Sequence, residues 1–359
     1  MNESGASFQA NDQLHRDLAS LRHNQETKCQ NDFMKDACSR RAFLASTGVA
    51  ATAALLGPFS RRLFAQQPGP SGAPLAGIVQ KARTAAATSK FTVEKLRGNI
   101  TLLSDDLGGN IAVLHGKDGK VLVDAGLAGS RRQITEALAG ISADPVRYIV
   151  NTHWHFDHTD GNEWLRDGGA TIIAHENVRK RMSEATRVAL WDFTFAASPA
   201  KALPAFTLRT AGAVLHLNGT PIRVDTYQPA HTDGDASVEF TDADVIHLGD
   251  LWWNGRYPFI DYDTGGSING TIRAIEANLA KVTDKTLIIP GHGSVGDKSQ
   301  LGEFRDMLVT VRDRVAALKK QGRSLEETVA AKPTDSFDAK WGTSLVDGVL
   351  FTRLVFAGV

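Results

Sequence analysis

The stretch of this chain that carries the most chemistry is Asn151-Thr-His-Trp-His-Phe-Asp-His158, where three imidazoles and a carboxylate fall within six residues. It follows directly on Tyr148-Ile149-Val150, an apolar run of the kind that makes a buried strand. Side chains alternate along extended backbone, so His153 and His155 point the same way. A turn after them brings Asp157 and His158 round to a second point beside the first. A pair of imidazoles at one point, with a carboxylate and an imidazole at the next, is the layout of a two-metal site. The alternative is a polar loop that happens to be rich in histidine.

Three later stretches supply what this one lacks. Pro229-Ala230-His231 offers a histidine, Leu248-Gly249-Asp250 an aspartate, and Pro290-Gly291-His292 another histidine. Each sits where an apolar, β-branched run stops: Ile222 to Val224, Val245 to Leu248, and Leu287 to Ile289. Loops at strand ends are where a rigid scaffold presents functional groups.

In order, residue type and approximate spacing, these four stretches resemble the metallo-β-lactamase superfamily. Its pattern is His-x-His-x-Asp-His, then His, then Asp or Cys, then His, and the resemblance runs from about Phe91 to about Leu308. It implies an α/β (α+β) fold, an αββα sandwich of two mixed sheets packed face to face with outer helices. It also implies two zinc ions per chain, with iron as the other metal used by relatives. One ion would be held by His153, His155 and His231, the other by Asp157, His158 and His292, with Asp250 bridging both. Asp124, in the turn Asp124-Ala-Gly126, takes the place of the residue that supports the metal loop from behind; otherwise it is a turn aspartate. An aspartate at 250, rather than cysteine, moves the resemblance toward glyoxalase II, the lactonases and related hydrolases.

The implied chemistry is hydrolysis of a carbonyl substrate (β-lactam, lactone, ester or thioester) by a hydroxide bridging the metals. Such a pair of cations lowers the pKa of bound water from about 15.7 to near neutrality. Asp157 would orient the hydroxide and take its proton. The alternative is an iron-dependent oxidoreductase of the same fold, similar to persulfide dioxygenases. His247, close in sequence to Asp250, is a further candidate partner behind the metals; His115, His175 and His216 read as hydrogen-bonded structural histidines. Trp252, Trp253 and Tyr257 follow the bridging aspartate and are candidates for the pocket mouth or, alternatively, for the core.

The elements that must position these groups are those of an ordinary globular protein. The chain has 359 residues, 42% hydrophobic and 22% charged. Lys+Arg and Asp+Glu are both 40, so there is no electrostatic reason to expect a nucleic acid or an anionic membrane as partner, and a small-molecule substrate is expected. Cys29 and Cys38 lie upstream of the folded part, so its metal chemistry must run on histidine and carboxylate. The oligomeric state is not legible. From Thr92 to Ile289 short strands alternate with helical spacings. A stripe from Leu301 to Leu318 marks a long helix, and further helices follow from Ser324. The aromatic stretch before Phe206, with Trp191, Phe193 and Phe195, reads as a flap over the site or as packing on a peripheral helix.

Residues 1–33 are polar and read as disordered or as an upstream extension, Met34 starting a signal of more usual length. Residues 34–65 hold Ser39-Arg40-Arg41-Ala42-Phe43-Leu44 before a short apolar run, which resembles a twin-arginine export signal. The other reading is a core helix with basic flanks. The run is too short to span a bilayer comfortably. Export to the periplasm without a lasting membrane anchor is therefore expected. Residues 66–90, rich in Pro, Gly and Ala, read as a linker ending in a short helix, and 91–359 as the hydrolase domain.

Overall fold

Strand runs only three to eight residues long, broken by Gly and Asp turns, fold here into two stacked sheets. The computed structural model describes residues 75–209 and 212–359; the expected extension, export signal and the start of the linker lie outside the described residues. The rest of the stretch read as linker holds helix α1 (Ile78–Ala86), with Val79, Ala82 and Ala86 buried against the body. This is the short helix expected at the end of the linker, and its alanines place small buried groups every third or fourth residue, a helix face that packs closely.

Strands β1 (Thr92–Lys95), β2 (Ile100–Ser104), β3 (Ile111–Leu114) and β4 (Lys120–Val123) run antiparallel, each to the next. Helix α2 (Arg131–Ile141) crosses over to β5 (Val146–Val150), parallel to β4. The short helices α3 (Phe156–Thr159) and α4 (Asn162–Asp167) lead to β6 (Thr171–His175), which is followed by α5 (Glu176–Ser183). A separate hairpin, β7 (Thr186–Val188) and β8 (Phe193–Phe195), precedes β9 (Phe206–Leu208), which closes the first sheet beside β6.

The second sheet holds β10 (Ala213–Leu217), β11 (Thr220–Tyr227), β12 (Asp235–Phe240), β13 (Val245–His247) and β14 (Leu287–Ile289) in that order. Helix α6 (Ile268–Leu279) makes the crossover between the parallel pair β13 and β14. The chain then runs through α7 (Lys298–Lys320), α8 (Leu325–Ala330), α9 (Asp335–Trp341) and α10 (Gly348–Gly358). None of the described helices is long and apolar enough to cross a membrane.

The period-two pattern decides which residues meet. Leu102, Ala112, Leu114, Val121 and Val123 of the first sheet face Ile222, Val224, Val238 and Phe240 of the second, making the middle of the sandwich. Their neighbours Leu103, Ile111, Val113 and Leu122 point outward, against Ile134 and Leu138 of α2 and Leu165 of α4. On the far side α6, α7 and α10 cover the second sheet, with Phe304, Leu308, Val311, Val315 and Phe351 fully buried. Each such aliphatic or aromatic side chain stabilises the fold by about 1.5–3 kcal/mol. The architecture is the expected αββα sandwich of two mixed sheets.

Candidate metal centre

The strand ends of both sheets meet along one edge of the sandwich, and that edge carries the histidines and aspartates. Asp124 ends β4, the 151–158 motif follows β5, His231 lies between β11 and β12, and Asp250 and His292 follow β13 and β14. Thr152 and Asp124 fasten the motif. The Asp124 carboxylate accepts from the Thr152 N–H (2.7 Å), the Thr152 hydroxyl (2.8 Å) and His158 Nδ1–H (2.7 Å), all buried. Two glycines let the groups approach: a Cβ at Gly291 would overlap Asp250 Oδ1, and one at Gly109 would overlap the His158 ring.

Two clusters result, His153, His155, His231 and Asp250 in one, Asp157, His158 and His292 in the other. The hydrogen bonds on the far side of each ring fix which nitrogen is bare. His155 Nε2–H donates to Asp261 Oδ2 (2.9 Å), leaving Nδ1 bare. His231 Nδ1–H donates to the Phe259 carbonyl (2.8 Å), leaving Nε2 bare. The Thr152 hydroxyl gives its own proton to Asp124, so at 3.1 Å it accepts from His153 Nδ1–H, again leaving Nε2 bare. These three lone pairs converge: His153 Nε2 and His231 Nε2 lie 3.1 and 2.9 Å from His155 Nδ1, and 3.7 and 3.4 Å from Asp250 Oδ2. No proton is left to join them. A cation is what such a set binds, and the separations are those between ligands around an ion with bonds of about 2.0–2.2 Å.

The second cluster uses the other oxygen of Asp250. Its Oδ1 lies 3.2 Å from His158 Nε2 and 3.5 Å from His292 Nε2, while Asp157 Oδ2 lies 3.6 and 3.3 Å from the same two atoms. His158 Nε2 and Asp250 Oδ1 are buried and find no hydrogen-bond partner outside this cluster, an arrangement that an ion between them would complete. The residues therefore fit two cations with Asp250 between them.

Electrostatics divides the two clusters. Burial holds His153, His155 and His231 below the usual imidazole range, so these rings are neutral. Burial also opposes charge on His158 and His292, but there the carboxylates outweigh it. Asp250, Asp157 and Asp124 raise His158 well above its ordinary value, and Asp250 and Asp157 raise His292 to about 9. Burial pushes the other way on Asp157 and Asp250, yet neighbouring histidines bring both below the ordinary carboxylate value.

Of the other residues singled out in the sequence, Trp253 lines the pocket over the site, its ring 4.5 Å from that of His292. Trp252 and Tyr257 do not line it. Both are fully buried, the Tyr257 ring stacking on Phe351 and its hydroxyl donating to Asp338 Oδ1 (2.9 Å), because the C-terminal helices cover this face. His247 does not touch Asp250. Its Nε2–H donates to the Asn110 carbonyl (3.0 Å) and its Nδ1 accepts from the Gly249 N–H (3.0 Å), so it props the turn that presents Asp250.

The segment Phe259–Asp261 was not anticipated. Besides accepting from His231 and His155, it donates from the Asp261 N–H to the His231 carbonyl (2.9 Å), clamping two rings of the first cluster. The one signal in the sequence is a charged residue directly after the apolar Pro258-Phe259-Ile260. The aromatic stretch before Phe206 forms the β7–β8 hairpin, and Trp191 at its turn packs 4.9 Å from both His155 and Phe259, as a wall of the pocket.

Residues 104–292 match the Metallo-beta-lactamase superfamily, more than half of the chain. This chain belongs to that superfamily. It is 27% identical over 154 residues to a protein named "Probable metallo-hydrolase" from Bacillus subtilis, a match covering 42% of this chain and 69% of that one. It is 29% identical over 160 residues to a hydroxyacylglutathione hydrolase of a Polaromonas species, covering 44% of this chain and 52% of the relative. Among solved structures, a metallo-beta-lactamase from Pontibacter korlensis superposes with a TM-score of 0.50 at 18% identity, over 61% of this chain and 99% of that one, a likeness of fold. Superfamily and relatives together make the chain a metallo-hydrolase with His/Asp metal-binding groups.

Proposed function

We propose that the chain is a two-metal hydrolase of a small carbonyl substrate: a lactam, a lactone, or an ester or thioester. The observation that carries this reading is the pair of buried atoms His158 Nε2 and Asp250 Oδ1, without partners outside the cluster, beside three imidazoles whose bare nitrogens converge with Asp250 Oδ2. His153, His155 and His231 would hold one ion, Asp157, His158 and His292 the other, and Asp250 would bridge. Zinc suits an all-nitrogen-and-oxygen donor set, and iron is the competing occupant. Two bound divalent ions supply Lewis acidity toward a carbonyl oxygen and a water acidic enough to ionise near neutral pH.

The chain's own residues do the rest. Asp157 sits at the floor of the pocket with its carboxylate partly exposed, so it can meet a water there and accept its proton. Asp261 and the Phe259 carbonyl hold His155 and His231 in fixed orientation and tautomer, and Asp124 does the same for His158. Trp191, Phe259 and Trp253 wall the cavity of about 280 Å³ with apolar surface, which excludes bulk water from the reacting centre.

Export is a second part of the proposal. Arg40-Arg41 and the apolar run after them support a twin-arginine signal and a periplasmic site of action. That favours a lactam or lactone over a glutathione thioester, which belongs to the cytoplasm. Metal-free protein reloaded with zinc or with iron is assayed on nitrocefin, acyl homoserine lactones and acyl thioesters. Turnover of at least one class by the zinc form is expected. Iron retained on purification, with oxygen consumption and no hydrolysis, would replace the hydrolase reading by the oxidoreductase one.

A further inference from the structure

Part of the wall of the metal pocket is not made by the superfamily segment. Ile78, Lys81, Ala82 and Ala85 of α1, together with Leu345 from the loop before α10, line the cavity, and all five lie outside residues 104–292. Residues 78, 81, 82 and 85 are spaced i, i+3, i+4, i+7 and form the stripe that lines the pocket, with the charged end of Lys81 at its exposed edge; Val79 and Ala86 lie on the adjacent stripe, buried against the body, and Ala82 sits where the two meet. The helix thus packs with one face and overhangs the pocket with the next.

It is also fastened. Arg83 makes a bidentate ion pair with Asp160 (2.7 and 2.8 Å), two residues beyond His158, and its guanidinium lies 5.4 Å from the Phe156 ring centre. The Gln133 amide donates to the carbonyls of Ala86, Ala87 and Ser89, holding the end of the helix. The exposed alanine at 85 leaves space that a larger residue would fill, in the same cavity that Trp191 and Trp253 line.

We propose that α1 and Leu345 form a specificity wall that seats an apolar alkyl or aryl substituent of the substrate between this stripe and the aromatic rings. The inference rests on the hydrolase reading, to which it adds the class of substrate: a carbonyl compound whose acyl side is a hydrophobic group. Arg83 is a positioning residue here, holding the wall to the metal motif through Asp160.

The test uses the full chain loaded with zinc and straight-chain carboxylates from acetate to octanoate, with binding read by calorimetry. Affinity is expected to rise by about fourfold for each methylene that enters the cavity, the value of one buried CH₂. Ala85→Trp should move the point where affinity stops rising to shorter chains, and Ile78→Ala should move it to longer ones. Both positions are at the surface of the helix or only half-buried, and thermal melts check that the variants fold. Arg83→Gln should flatten the dependence on chain length. Affinity independent of chain length in the unaltered protein, or an identical chain-length profile in Ala85→Trp and Ile78→Ala, overturns the proposal. The hydrolase reading fails separately: carboxylate binding that shifts with α1 variants while no lactam, lactone, ester or thioester is turned over would sink that reading and leave the wall standing.

Discussion

Replacing Asp124 by Asn tests how the metal motif is held, with little change of shape. Asp124 has a left-handed backbone (φ 68°), which Asn tolerates as well as Asp does, so the turn itself is kept. Its carboxylate accepts three buried donors: the Thr152 N–H, the Thr152 hydroxyl and His158 Nδ1–H. An amide keeps one oxygen. If that oxygen stays with the Thr152 N–H, the NH₂ group faces His158 Nδ1, and a ring that gives up one proton to become neutral keeps the other on Nε2. That nitrogen is the one aimed at Asp250 Oδ1, 3.2 Å away. A protonated Nε2 cannot bind a cation, so the ion enters only after the favourable hydrogen bond is given up, at about 1.5–3 kcal/mol. That corresponds to roughly 10–100-fold weaker binding of the second ion, the usual scale for such supporting groups. The assay is metal content by mass spectrometry after dialysis against graded chelator, with thermal unfolding as the check on folding. The first ion should hold nearly as before, and Asp261→Asn, acting on His155, should reverse the pattern. Equal loss from both sites, or from neither, would show that Asp124 only shapes the turn.

Asp157→Asn keeps size and one oxygen but loses basicity; with both metals verified as bound, turnover should fall by about 10²–10⁴-fold, and near-normal turnover would make Asp157 a ligand only. Metal occupancy should also separate with pH. In the metal-free protein His158 and His292 are raised, His292 to about 9, so an ion entering the second site displaces protons from them at any lower pH; His153, His155 and His231 are lowered and give up none near neutrality. As pH falls from 9 toward 6.5, the second ion should therefore leave while the first remains, and simultaneous loss in a pH-stepped dialysis would refute the division. Tyr257→Phe removes the bond to Asp338, which should cost about 1–3 kcal/mol of stability in denaturant unfolding and leave substrate KM unchanged, whereas a raised KM would return Tyr257 to the pocket.

What could be read in advance follows from where the information lies. The metal motif and the histidines and aspartate downstream each end a β-branched run, and strand ends on one edge of a sandwich bring distant residues together without any special loop chemistry. Strand alternation likewise separates Leu102 from Leu103 and so marks both sides of the first sheet. The short helix at the end of the linker stretch was legible, but its docking was not, because its packing depends on Asp160 and Gln133 far along the chain. Trp252 and Tyr257 stayed undecided between pocket and core for a related reason: the C-terminal helices that bury them carry no local signal of where they dock. Asp261 supports His155 from a loop without periodicity, and only tertiary structure shows the two meeting.

The most direct measurement is anomalous scattering from crystals of the zinc-loaded protein, recorded above and below the zinc edge. Two peaks are predicted, one among His153, His155 and His231 and one among Asp157, His158 and His292, each within bonding distance of a different oxygen of Asp250. A single peak, or two peaks that do not share Asp250, would contradict a two-metal centre bridged by that carboxylate.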